Sequence, residues 1–268
     1  MDITFNKVTV ITGGSMGIGA GCTRVFVEAG ARVVICARGK EKGETLAAEL
    51  TAKGPGSCHF EACDVTRQDK IKKLIKKTVA MHGQLDCLIN NAGMHPDHAS
   101  IDGFSVEEFE GLLRLNLVSY FAACKFALPH LRKTRGSIIN MGSLVGTLGQ
   151  EGASTYVATK AGISGLTRAL AIDEAKHGVR VNCVLPGNIN SPAALALPKD
   201  LYNEAAHWSL LGRWGEPEEV GYACLFLASD KAEFITGIDL IISGGAEIGY
   251  GSKQMISGRT GSAHGKDR

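Results

Sequence analysis

The chain has 268 residues, 44% hydrophobic and 21% charged, with a formal net charge of +2. That is enough chain for a substantial core in one large domain or two small ones. A charge so close to balance gives no general reason to expect nucleic acid or an anionic membrane as partner.

In chain order, MDITFNKVTV has no long apolar core behind a basic start, so no signal peptide is expected. No apolar run is expected to reach bilayer-spanning length either. VTVI (8–11) reads as a first β-strand. TGGSMGIG, Thr12 to Gly19, follows at once and opens a helical pattern through 21–30. In that place a glycine-rich turn lets backbone N–H groups and a helix N-terminus face a pyrophosphate. Gly13 can make the tight turn, Gly17 can let the backbone approach the phosphates, and Gly19 can let the helix pack close to the sheet. Ser15, Met16 and Ile18 complete the loop. A purely structural turn is the alternative.

ARVVIC (31–36) reads as the second strand and is followed by Ala37-Arg38. CHFEACDV (58–65) is the third and ends in Asp64-Val65. A basic helical stretch (70–83) leads to LDCLIN (85–90), the fourth strand, which runs into Asn91 and His95. The long amphipathic stretch 106–131 contains Asn116. GSIINM (136–141) is the fifth strand, with Ser143 and Gln150 beyond it. The helical stretch around 153–177 carries Tyr156 and Lys160, and VRVNCVL (179–185) is the sixth strand, ending near Pro186-Gly187 and Ile189. A helix at 217–228 precedes the seventh strand, IDLII (238–242). Residues 188–216 form a long insert of the kind that often serves as a lid. From Ser252 to residue 268 the chain is polar and glycine-rich, so a frayed tail is expected.

Strands alternating with crossover helices predict an α/β fold, a doubly wound parallel sheet of about seven strands with helices on both faces. Without a Pro/Ser-rich linker, residues 1–251 read as one domain. The eight cysteines show no C-x-x-C pair and no zinc-like clustering with histidine. Buried free thiols, no metal and a reducing, cytoplasmic compartment are therefore expected.

Tyr156 and Lys160, four apart on a helix, share a face. A free tyrosine titrates near ~10, and an ammonium beside it is expected to pull that value down. Such a pair suits proton transfer to and from a hydroxyl. Taken singly, Lys160 also reads as a surface charge, Ser143 as a strand terminator and Asn116 as a helix cap or kink.

T-G-x-x-x-G-I-G at 12–19, N-N-A-G at 90–93, Ser143, Y-V-A-T-K at 156–160 and P-G-N-I at 186–189 together resemble the short-chain dehydrogenase/reductase family, over nearly the whole chain. The resemblance implies a Rossmann-like fold and hydride transfer between a nicotinamide cofactor and a secondary alcohol or ketone. It implies Tyr156 as acid and base, Ser143 on the reacting oxygen and Lys160 on the nicotinamide ribose. Asn116 would hold a water in a proton relay through Lys160. Further cofactor contacts are implied at Asp64-Val65 (with a turn-forming Asp as the alternative), at Asn91, and at Pro186-Gly187 and the Ile189 backbone. These motifs fall at the carboxyl ends of strands, where open α/β sheets bind ligands. A homotetramer through the helices carrying Asn116 and Tyr156 is also implied. Tyr250 would reach a neighbouring subunit's pocket or pack on its own subunit.

Within the family, SLVGTLGQ (143–150), GVRVNCVLPGNI (178–189) and GGAEIGYG (244–251) are most similar to 17-beta-hydroxysteroid dehydrogenases. That implies a hydroxysteroid as first substrate and an L-fucose-like sugar as second. A generic carbonyl reductase and an inactive nucleotide-sensing scaffold are further readings. His95 and Gln150 match polar pocket positions that would bond a second substrate hydroxyl, and both also read as plain loop residues. Ala193, Ala194, Leu195, Leu197, Trp208, Leu210 and Leu211 of the insert would form an apolar wall suited to a steroid, or simply cover a helix. The insert departs from the resembled pattern.

An acidic residue after the second strand accepts hydrogen bonds from a ribose 2′-OH and repels a 2′-phosphate, selecting NAD. Ala37 removes both effects, and Arg38 adds a planar fork suited to a phosphate. Lys40 and Lys42 add charge at the start of a helix, where cations oppose the macrodipole, and Glu41 and Glu44 partly offset them. The local chemistry favours NADP(H). The overall resemblance favours NAD(H).

Overall fold

The computed structural model describes residues 3–248, so Tyr250 and the tail 252–268 lie outside the described residues. β-Branched and apolar runs that are buried on both faces form the central strands. The order is β1 (Val8–Thr12), α1 (Gly17–Glu28), β2 (Arg32–Ala37), α2 (Lys40–Lys53), β3 (Ser57–Ala62), α3 (Gln68–His82) and β4 (Cys87–Asn90). Then come α4 (Val106–Leu113), α5 (Ser119–Thr134), β5 (Ser137–Met141), α6 (Val145–Leu148), α7 (Ser154–Glu174) and β6 (Arg180–Pro186). The short helices α8 (Pro192–Leu195) and α9 (Lys199–Ala206) precede α10 (Pro217–Ala228) and β7 (Asp239–Ile242).

All seven expected strands are present, every pairing is parallel, and the sheet order is β3-β2-β1-β4-β5-β6-β7. The order reverses between β1 and β4, which opens a crevice above their carboxyl ends. One face of the sheet is covered by α1, α2 and α10 through Val25, Phe26, Leu46, Val220 and Leu225. The other is covered mainly by α3 and α5 through Ile71, Leu74, Ile75, Ala123, Ala127 and Leu131. Burying each such Leu, Ile or Phe contributes roughly 1.5–3 kcal/mol, which keeps the strand ends in a fixed array.

Three expectations are corrected at this level. The third strand stops at Ala62 and not at residue 65, because Asp64 turns the chain by accepting from the Thr66 N–H at 2.9 Å and its hydroxyl at 2.8 Å. The stretch 106–131 is not one continuous helix, since a π-helical turn at Arg114–Val118 separates α4 from α5 and buries Asn116 completely. An apolar run of bilayer length does exist there. Val106–Thr134 spans 29 residues, long and apolar enough by length and composition to cross a membrane. In this fold its buried side packs on α3 and the sheet, through Ala123, Ala127 and Leu131.

The insert folds largely on itself. Tyr202 stacks on Trp214 at 4.9 Å and 9°, and the Trp214 indole N–H donates to the Tyr202 carbonyl at 2.9 Å. Ala194 and Ala205 are buried in this satellite core and Leu197 packs against it, so Ala194 and Leu197 are removed from the expected apolar wall. Leu195, Trp208, Leu210 and Leu211 remain exposed.

Candidate active site

The glycine turn hangs from β1 with Gly13 at φ +66° and Gly17 at φ +52°, in the left-handed region where a side chain strains the backbone. A Cβ on Gly19 would lie 2.1 Å from the Gly13 carbonyl oxygen, so α1 sits against the turn because residue 19 has no side chain. The Met16 N-cap residue supplies no side-chain hydrogen bond to α1. The opening N–H groups of the helix thus meet a turn in which Ser15 and Ile18 are part-buried and Met16 is exposed. An uncapped helix N-terminus beside left-handed glycines fits a dinucleotide pyrophosphate. Asn91, expected to touch cofactor, braces this turn. Its Nδ2 donates to the Thr12 and Gly13 carbonyls at 3.0 and 3.1 Å, and its N–H donates to the Thr12 hydroxyl at 2.9 Å.

Arg38 is exposed at the end of β2, next to half-buried Ala37, and makes no hydrogen bond or ion pair among the described residues. Lys40 is shared with Glu44 at 3.6 Å. Across from them, the Thr66 hydrogen bonds hold the Asp64 carboxyl below its usual range, with the Arg38 charge assisting. The turn-forming alternative for Asp64 is therefore realised in Oδ1. Val65 is buried against the α3–α5 core.

On α7 a buried stripe of Thr159, Lys160, Ile163 and Thr167 faces the sheet, and Tyr156 lies in line with it. The Tyr156 hydroxyl lies close enough to Ser143 to feel its hydroxyl, and its ring lies 5.6 Å from Lys160 Nζ. Lys160 donates to the Met141 carbonyl at 2.9 Å. The two rely on burial in opposite ways. Desolvation pushes Tyr156 up to about 12, against the pull of the Ser143 hydroxyl, and brings Lys160 down to about 8. In the free protein burial therefore outweighs the expected downward pull of Lys160 on Tyr156. The phenol rests in its neutral, proton-donating form.

Asn116 is held between loop and helix. Its Nδ2 donates to the Met94 carbonyl at 2.9 Å and to the Thr159 hydroxyl at 3.2 Å, and its Oδ1 accepts from the Met94 N–H at 3.0 Å. Both amide hydrogens are therefore in use, and a relay water would need the second lone pair of Oδ1 or a backbone group.

His95 lies at the mouth, its ring centroid 4.1 Å from that of Tyr156. Its Nε2 meets Gln150 Oε1 at 3.0 Å, its Nδ1 meets the Pro96 carbonyl at 2.6 Å, and His98 stacks on it at 5.1 Å and 16°. A carbonyl only accepts, so Nδ1 carries the proton. With Nδ1 protonated, Nε2 of a neutral ring accepts, which requires the Gln150 amide to present its N–H, whereas an imidazolium would donate to Oε1. His98 was not singled out in the sequence, and its short spacing from His95 was the available signal.

On the far side, Pro186 ends β6, and Gly187 donates to the Ile242 carbonyl at 2.9 Å. Ile189 bridges Gly215, but the bonds run through Asn188 and Asn190, leaving the Ile189 N–H and carbonyl without partners among the described residues. Ser191 was also not singled out. Its Cβ would lie 3.5 Å from a Cβ on Gly17, so the start of the insert closes over the glycine turn.

The lowered Lys160 makes a prediction about stability. Below pH 8 the ammonium is buried at full cost, and between about 8 and 10.5 the folded lysine is neutral while the unfolded one still binds a proton. Stability contributed by this group therefore rises with pH through that window. Denaturant unfolding is expected to show wild type gaining roughly 3 kcal/mol on Lys160→Met across it. Parallel pH curves would contradict this.

Residues 13–247 match the family described as enoyl-(acyl carrier protein) reductase. The chain is 47% identical to L-fucose dehydrogenase of Bos taurus over 253 residues, 92% of each chain. It is 47% identical to the Mus musculus L-fucose dehydrogenase, covering 94% of this chain and 92% of that one. It is also 38% identical to 3-oxoacyl-[acyl-carrier-protein] reductase FabG of Thermotoga maritima, covering 90% and 98%. The solved structure of gox2181 superposes with a TM-score of 0.87 at 27% identity, covering 91% of this chain and 96% of that one. With this fold, these motifs at the strand ends and relatives spanning nearly its full length, the chain belongs to the short-chain dehydrogenase/reductase family, enzymes that oxidise CH–OH donors or reduce the matching carbonyl with NAD(P)(H).

Proposed function

We propose that the protein is a sugar dehydrogenase acting on a secondary hydroxyl of an L-fucose-like substrate. The observation that carries this reading is the polar mouth, where His95 and Gln150, joined at 3.0 Å, stand against the Tyr156 ring. A polyhydroxylated ring offers hydroxyls on both sides of the reacting one, and such a mouth can bond them. The L-fucose dehydrogenase relatives support the same choice, which reverses the order expected from the sequence. The second reading, a 17-beta-hydroxysteroid, is favoured by exposed Leu195, Trp208, Leu210 and Leu211 on the insert.

When bound, the nicotinamide cofactor supplies the hydride acceptor or donor. Ser143 holds the reacting oxygen, and Tyr156 gives it a proton in reduction or removes one in oxidation. Lys160 brings its charge to the same group, and Asn116 fixes the Met94 loop and helix α7, with a relay water as its further role. The glycine turn from Gly13 to Gly19 takes the pyrophosphate, Asp64-Val65 and Asn91 border the adenosine side, and Pro186, Gly187 and Ile189 border the carboxamide. Residues 188–216 act as the lid.

The decisive test is kcat/KM for L-fucose and for estradiol-like steroids with each cofactor. Higher efficiency with the sugar is expected, and turnover of the steroid alone would reject this reading. NADP(H) is the proposed cofactor, because Ala37 brings no carboxylate to repel a 2′-phosphate and Arg38 is unpaired. Arg38→Ala is expected to raise KM for NADP by roughly 10–100-fold, the loss of a charged hydrogen bond, and to leave NAD nearly unchanged. Equal efficiency of the wild type with NAD would reject the preference. A homotetramer is proposed through the helices carrying Asn116 and Tyr156, where Val118 and Phe121 are exposed. A monomeric mass in solution would count against it.

A further inference from the structure

The loop that carries His95 holds a second imidazole, His98, which the hydride chemistry and the cofactor reading leave unused. Its ring stacks on His95, with centroids 5.1 Å apart and planes 16° from parallel. His95 in turn meets the Tyr156 ring at 4.1 Å and 41°. Both histidines are exposed, and an exposed imidazole has little packing to fix its torsions. What fixes His95 is its two ring contacts and its two polar partners, the Pro96 carbonyl at 2.6 Å and Gln150 Oε1 at 3.0 Å.

The main chain sets where His98 stands. Ala99 N–H donates to the Gly152 carbonyl at 2.9 Å, which ties the His95 loop to the Gln150 loop. Gly152 is at φ +68°, and a Cβ on it would come within 3.2 Å of His98 Cβ. The two loops therefore meet at His98, so the ring stack and the His95–Gln150 pair belong to one clamp. Among the described residues His98 has no hydrogen bond to Ser143, Tyr156 or Lys160, and its route to the reacting cluster runs through His95.

We propose that His98 is a positioning residue for substrate recognition: its ring fixes His95, His95 fixes the Gln150 amide, and the amide so held bonds a hydroxyl beside the reacting one. With Nδ1 of His95 protonated and the ring neutral, Nε2 takes one amide N–H of Gln150. The second N–H and the oxygen of that amide are left for the mouth. One group then offers a donor and an acceptor side by side, the complement of a hydroxyl, which both donates and accepts. A vicinal diol, oxidised at one carbon and recognised at the next, is the substrate class that uses this arrangement. An alcohol without a neighbouring hydroxyl leaves the amide unanswered, and polar groups left unpaired on binding are a strong source of discrimination.

The substrate half rests on the sugar reading proposed above. In steady-state kinetics of the full chain on L-fucose at saturating cofactor, His98→Ala is expected to raise KM roughly 2–10-fold, the worth of an aromatic stack, with kcat within about twofold of wild type. His98→Phe keeps a flat ring without the imidazole nitrogens and is expected to hold KM within about twofold of wild type. His95→Ala should raise KM at least as much as His98→Ala, and the double variant should be no worse than His95→Ala alone. A second arm needs no substrate. Diethyl pyrocarbonate acylates imidazole nitrogen, and peptide mass mapping of the free protein is expected to show His95 labelled at least about threefold faster in His98→Ala than in His98→Phe. Equal labelling in the two variants, the same KM rise in both, effects that multiply in the double variant, or a loss in kcat in place of KM would each overturn the proposal. If the wild type does not turn over L-fucose, the sugar reading fails, and the labelling alone decides whether His98 holds His95.

Discussion

Tyr156→Phe is expected to lower kcat by about 10²–10⁴-fold, the usual worth of a positioned acid or base. The substitution removes one hydroxyl whose neighbour is Ser143, and keeps the ring that meets His95 and faces Lys160. Stability should therefore change by only about 1 kcal/mol, the net value of one hydrogen bond, and dinucleotide affinity should be nearly unaffected. Because burial holds the wild-type phenol neutral, oxidation must first draw off its proton, and its rate is expected to climb with pH above neutrality. The variant should lose that climb. Retention of substantial turnover in Tyr156→Phe would show that the chemistry lies elsewhere, while an inactive wild type would support the scaffold reading.

The second large effect is expected at Gly19. A methyl group there would sit 2.1 Å from the Gly13 carbonyl oxygen and 2.5 Å from Asn91 Nδ2, so α1 must move off the turn. Overpacking of this kind costs about 1–3 kcal/mol or more. Dinucleotide affinity should also fall in Gly19→Ala, by about 10²-fold if the N–H groups shift by ~1 Å. Gly111→Ala is the matched control, since a Cβ there meets nothing within 4 Å inside α4. It should gain roughly 0.5–1 kcal/mol and leave binding unchanged. Equal affinities for the two variants would show that close packing at Gly19 is not what shapes the turn.

The strands were legible because each is a short β-branched run punctuated by a turn, so their number and parallel pairing followed from alternation alone. What local pattern does not carry is the competition at element ends. Asp64 ends β3 because its side chain out-competes the ladder for Thr66, and Asn116 widens its helix because burial demands partners that Met94 and Thr159 provide. The candidate reacting cluster was legible as residue types at fixed spacing. Its electrostatics were not, because the Tyr156–Lys160 spacing gives their proximity but not how far each is desolvated. His98 and Ser191 came into view only when the chain was folded, the one through ring stacking and the other through the insert's approach to Gly17.

The glycine turn described above is knotted to three parts of the fold, to β2 through Gly13 and Cys36, to the residues after β4 through Asn91, and to α1 through the Thr23 hydroxyl, which donates to the Gly14 and Gly19 carbonyls. Arg38 is tied to nothing comparable. On the proposed cofactor reading, a stiff clasp, already ordered before its ligand arrives, would be separate from the residue that tells one form of the ligand from the other. Single substitutions at Ala37 or Arg38 would then be expected to shift coenzyme use while leaving the clasp as it is. Coenzyme preference would then be a property that this fold can retune without rebuilding the turn that holds the phosphates.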